Sequence, residues 1–78
     1  MTIKILGTGC AKCKRLEEKV KELIIRNSID ADIEKVTDLD EIMKFNIMRT
    51  PGLVINDKLK SAGVIPKDED ILVWINEG

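Results

Sequence analysis

Ile3-Lys4-Ile5-Leu6-Gly7-Thr8-Gly9-Cys10-Ala11-Lys12-Cys13 is the stretch on which the fold turns. Ile3, Ile5 and Leu6 alternate and end apolar, which predicts a strand over 2–6. Gly7 and Gly9 punctuate a short loop. Beyond it, Cys13, Leu16, Val20, Leu23 and Ile24 recur at spacings of three and four, the signature of one face of a helix over about 11–27. Lys14, Glu17, Glu18, Lys21 and Glu22 occupy the other face, with Glu17 and Lys21 as a favourable pair one turn apart.

The two cysteines of the chain, Cys10 and Cys13, therefore fall where a strand becomes a helix. A thiol at a helix N-terminus faces unpaired backbone N–H groups and the positive end of the helix dipole. Both favour the thiolate, which is the reactive form. A second thiol three residues on is close enough to close a small disulfide ring. A dithiol–disulfide redox centre is the leading reading of that placement. Lys12 lies between the thiols, and an ammonium turned toward Cys10 would lower its pKa further.

Composition narrows the alternatives. The 78 residues suffice for one domain, 1–78, and not for two. A net charge of -1 gives no electrostatic case for nucleic acid. No apolar run approaches the ~18 residues that span a membrane. The first residues lack the pattern of a signal peptide, so a cytoplasmic protein is expected. Histidine and tyrosine are absent, which excludes Cys–His and Ser–His catalysis and His-ligated zinc. Cysteines this close cannot staple distant parts of a secreted scaffold.

Downstream, Ala31, Ile33 and Val36 among charged neighbours predict a half-exposed strand over 30–36, at a sheet edge. Thr37 or Asp38 caps a second helix over about 39–45, with Leu39, Ile42 and Met43 inward. Asp38 and Glu41 have the spacing of a capping box. Leu53-Val54-Ile55 reads as a central strand buried on both faces. Asn56-Asp57 is a tight turn, Lys58–Ala62 returns antiparallel, and Gly63 ends that strand. Asp68-Glu69-Asp70 opens a last helix whose inner stripe is Ile71, Trp74 and Ile75. The class is α/β, in the order β-α-β-α-β-β-α, with the first βαβ unit parallel. Pro51 cannot donate to a ladder, so it marks a fixed turn before the central strand, with a cis peptide after Thr50.

Gly7-Thr8-Gly9-Cys10-Ala11-Lys12-Cys13 followed by Thr50-Pro51-Gly52-Leu53-Val54-Ile55-Asn56-Asp57 resembles the thioredoxin-like superfamily. It is most similar to the small bacterial and archaeal thioredoxin-like, or redox-active disulfide, proteins. The resemblance runs over about 2–77. It implies a thioredoxin-like fold with a four-stranded mixed sheet flanked by helices. It implies that Cys10 is the nucleophile, that Cys13 resolves the mixed disulfide, and that Pro51 is the family's cis-proline. Thr50 would offer backbone groups to an extended substrate, with Gly9, Ala11 and Lys12 supporting the site. The implied partners are protein or low-molecular-weight disulfides and a separate flavin- or thiol-dependent reductase. No bound cofactor, nucleic acid or membrane is implied beyond the redox-active disulfide Cys10–Cys13, and the chain would be a monomer.

The chain departs from the pattern in places. Thioredoxin has an aromatic residue before the first cysteine and Gly-Pro between the two, where this chain has Gly9 and Ala11-Lys12. The buried acid that assists thioredoxin's second thiol falls by counting near Lys4. A glutaredoxin-like, glutathione-dependent reductase is one alternative. A soft-metal carrier holding copper or zinc on Cys10 and Cys13 is another. Such carriers have the order β-α-β-β-α-β and a methionine just before the first cysteine, and Thr50-Pro51 has no use in them.

Overall fold

A computed structural model describes residues 1–77. The elements run β1 (Thr2–Leu6), α1 (Ala11–Arg26), β2 (Asp32–Val36), α2 (Leu39–Met43), β3 (Gly52–Ile55), β4 (Lys58–Ala62) and α3 (Asp68–Glu77). The order is the one expected. The strands form one mixed sheet, β2-β1-β3-β4. β1 runs parallel to β2, β3 is antiparallel to β1, and β4 is antiparallel to β3. β2 is an edge strand, as its charged positions predict.

Side chains alternate across a strand, so β1 feeds two cores. Ile3 and Ile5 point to one face. There they meet Leu53 and Ile55 of β3, Leu16, Val20 and Leu23 of α1, and Ile71 and Ile75 of α3. Leu6 points to the other face with Val54 and Ile42, bordered by Val36, Phe45 and Ile47. All four residues of β3 are buried, which is why its apolar run shows no alternation. Lys19 ties α1 to the start of α3, donating to the Pro66 carbonyl at 2.7 Å and pairing with Asp68 at 3.1 Å.

α2 departs from expectation. It ends at Met43 rather than near 45, and only Ile42 is buried. Leu39 and Met43 are 62% and 66% exposed. A helix of barely more than one turn directs a single position at the sheet. Asp38 does cap it, accepting from the Asp40 N–H at 3.0 Å. Glu41 leaves the capping box half formed, because its carboxylate pairs with Lys44 at 3.0 Å. Among the described residues, no helix is long and apolar enough to cross a membrane.

The register places three loops at one corner. Leu6 pairs with Gly52, so the loop leaving β1 lies beside Thr50-Pro51. Gly52 pairs with Ala62, so Gly63 lies there too, donating its N–H to the Pro51 carbonyl at 2.8 Å.

Candidate active site

Cys10 is the N-cap of α1, extended at φ -69 and ψ 165, and it is exposed. Its sulfur takes the capping role usually filled by a hydroxyl or carboxylate, accepting the Cys13 N–H at 3.3 Å. Lys14 completes the first turn, donating its N–H to the Cys10 carbonyl at 3.0 Å. Cys13 lies at the head of the buried row Cys13, Leu16, Val20 and Leu23, and is 5% exposed. Both cysteines are free thiols. One helix turn thus presents one sulfur to solvent and draws the other into the core.

Gly7 makes the second placement possible. A Cβ at Gly7 would overlap the Cys13 sulfur and lie 3.8 Å from the Thr50 Cβ. The absent side chain is the space the Cys13 sulfur fills. Gly9 serves the backbone instead, with φ +88, a conformation that a Cβ resists. Ala11 is the first residue of α1 and is exposed. The Thr50–Pro51 peptide is cis and Pro51 is buried. The structure therefore brings Gly9, Cys10, Ala11, Lys12, Cys13, Thr50 and Pro51 to one corner of the sheet.

The two thiols are electrostatically unequal. The Cys10 pKa is lowered, first by the Cys13 thiol donating to its sulfur and next by the Cys13 N–H. Burial opposes these two, and the Thr50 hydroxyl and the Lys12 N–H add smaller lowering effects. The Cys13 pKa is raised, first by burial and next by that same thiol hydrogen bond. Lys12 acts through its backbone rather than through a nearby ammonium, which corrects the role expected of its charge. Lys4 is on the sheet's other face, 5.9 Å from the centre of the Phe45 ring and 3.5 Å from Asp57, so it does not stand in for a buried acid at the sulfurs.

A pH titration follows from that asymmetry. Deprotonation is favoured at Cys10, so thiolate ultraviolet absorbance should begin to rise below the ~8.5 of a free cysteine. A second rise, from Cys13, should come above it. One rise of two thiolates at the free-thiol value would contradict the geometry.

A cavity of about 100 Å³ opens beside Cys13, walled in part by Gly7, Gly9, Lys14, Glu17 and Lys35. Glu17 is held there by Lys35 of β2 at 3.1 Å and by Lys21 at 3.5 Å, which keeps its carboxyl below the usual carboxylate range. Sequence reasoning saw Glu17 only as a partner of Lys21. The pairing with Lys35 depends on α1 lying over β2 and has no local signal. Among the described residues, no group of three or more Cys, Asp or Glu side chains converges as a metal site.

The thioredoxin domain family matches residues 1–76. The chain belongs to that family. A thioredoxin of Methanothermobacter thermautotrophicus is 38% identical over 71 residues, covering 91% of this chain and 92% of the relative. One of Methanocaldococcus jannaschii is 42% identical over 71 residues, covering 91% of this chain and 81% of the relative. The protein is a thiol–disulfide oxidoreductase with its cysteines spaced as Cys-x-x-Cys. Proteins of this family need no bound cofactor, since the redox-active disulfide is part of the chain. In general, family members act on protein disulfides and draw on a reductase. The element order β-α-β-α-β-β-α also departs from the β-α-β-β-α-β of soft-metal carriers.

Proposed function

We propose that the protein reduces disulfides of partner proteins, with Cys10 attacking and Cys13 resolving. The Cys10 thiolate adds to one substrate sulfur, and the substrate S–S bond breaks. The departing thiolate takes up a proton. Cys13 then gives up its proton and attacks the Cys10 sulfur of the mixed disulfide, releasing the second substrate thiolate. The products are a reduced substrate and a Cys10–Cys13 disulfide, with two electrons passed from protein to substrate. A separate flavin- or thiol-dependent reductase restores the dithiol. Cis-Pro51 and Thr50 form the wall along which an extended substrate segment aligns. A single domain in the cytoplasm, where thiols start reduced, suits this direction of flux.

One observation carries the reading. The exposed Cys10 sulfur caps α1 and accepts the N–H of a buried Cys13 at 3.3 Å. That arrangement stabilises charge on the attacking sulfur and keeps the proton on the resolving one.

A redox titration tests it. The protein is equilibrated in graded dithiothreitol buffers, free thiols are alkylated, and mass is read. A single two-electron transition between ~ -270 and ~ -120 mV is expected, the range of known oxidoreductases. Failure to form an intramolecular disulfide under oxidising conditions would remove the proposal.

A further inference from the structure

Arg49 is a held charge without an ion-pair partner among the described residues. It is exposed and immediately precedes Thr50-Pro51. Its stem lies along the backbone of Gly63, where an added Cβ would come within 2.9 Å of the Arg49 Cβ and 3.2 Å of its Cδ. Gly63 is itself bound to Pro51, so the arginine is pinned to the corner that holds the sulfurs. Ordering so long a side chain costs rotamer freedom, and no ion pair among the described residues offsets that cost.

Two more cations, on the helix that carries the thiols, have no ion pair among the described residues. Lys12 lies between the cysteines in the chain, and Lys14 walls the cavity beside Cys13. Both are exposed in the first turn of α1, which contains no acid and whose dipole they oppose. They cost the fold something, so their placement is not explained by stability. The nearby acids are engaged: Glu17 by Lys35 and Lys21, and Asp38 by the Asp40 N–H. Arg15 is different, because it shares a hollow with Glu18, Glu22 and Asp68, whereas Glu17 in the cavity beside Lys14 is already paired with Lys35 and Lys21. The chain as a whole is slightly acidic, so unpaired cations here are a local feature and not the overall charge.

We infer that Lys12, Lys14 and Arg49 form a cationic rim around Cys10 that selects disulfides carried on acidic protein segments. The inference rests on Cys10 being the attacking sulfur. Carboxylates flanking a substrate disulfide meet the rim as the sulfurs come together, which speeds encounter and suppresses basic partners. A protein segment fits better than a small anionic disulfide. It can also cover Met48, which is 98% exposed and directly precedes Arg49.

The test uses three peptides of one length, each closed by one disulfide and differing only in flanking Glu, Gln or Lys. Second-order rates of reduction by the pre-reduced protein are divided by those with dithiothreitol, which removes intrinsic reactivity. At about 10 mM salt the Glu peptide should be reduced roughly tenfold faster than the Lys peptide, and added salt should shrink that ratio. The ratio should fall toward one in the Lys12→Gln/Arg49→Gln double variant and stay high in Arg49→Lys. A ratio near one in the starting protein, or one that survives the double variant, overturns the inference. Glutathione disulfide reduced as fast as the Glu peptide also overturns it, assigning the rim to small anions. Reduction of no peptide at all would instead remove the assignment of Cys10 beneath it, and this inference with it.

Discussion

Replacing Cys13 by serine is expected to turn the protein into a trap for its substrates, while replacing Cys10 leaves nothing to trap. The asymmetry follows from exposure and charge. Cys10 faces solvent with a lowered pKa, whereas Cys13 is 5% exposed with a raised one. In the proposed roles, Cys10 meets an incoming disulfide as a thiolate and Cys13 displaces the substrate from it. Turnover should fall at least about a thousandfold in either variant, since each removes a sulfur that forms a covalent bond. Non-reducing gels and intact mass separate the two. Cys13→Ser should accumulate a mixed disulfide through Cys10, and Cys10→Ser should show none. Equal trapping by both variants would contradict the assigned roles.

Gly7→Ala is expected to damage the second half of the reaction without touching either cysteine. The new methyl would overlap the Cys13 sulfur and lie 3.1 Å from the Cys13 Cβ. The sulfur cannot retreat inward, because its row continues into Leu16 and Val20, both fully buried. Either the helix shifts or the thiol rotates away from Cys10. Overpacking of this kind costs about 1–3 kcal/mol, visible as a lower thermal midpoint. A displacement near 1 Å slows a positioned attack on the order of a hundredfold. The mixed disulfide should therefore persist longer, read by acid quenching and mass. Gly9→Ala is the contrast. Its Cβ meets nothing within 4 Å, so the burden there is the backbone at φ +88 rather than a collision with sulfur. Unchanged resolution in Gly7→Ala would show that the close approach is not needed.

What could be read in advance divides along physical lines. Regular spacing revealed β1 and α1, each written in the period of its own element, and an unbroken apolar run revealed β3. The cysteines and Thr50-Pro51 were legible as chemistry, because thiol spacing and a proline before an apolar run are local patterns. Their meeting was not local, and depends on Leu6 pairing with Gly52. α2 misled because Leu39 and Met43 have helical spacing on a helix too short to bury more than Ile42. Gly7 read as loop punctuation, and only the folded packing shows that it makes room for sulfur. Arg49 carried no signal beyond its place before Thr50. Its direction is set by Gly63, a residue 14 positions along the chain.

The row that runs from Cys13 through Leu16, Val20 and Leu23 has a thermal consequence. Reactive groups commonly sit on the parts of a protein that loosen first. Here the Cys13 sulfur belongs to the same row of side chains that joins α1 to the sheet, and the loop before it is pinned beside the fully buried β3. Little separate softening is available to the chemistry before the whole assembly gives way. Warming should carry activity undiminished almost to the melting point and then take both at once.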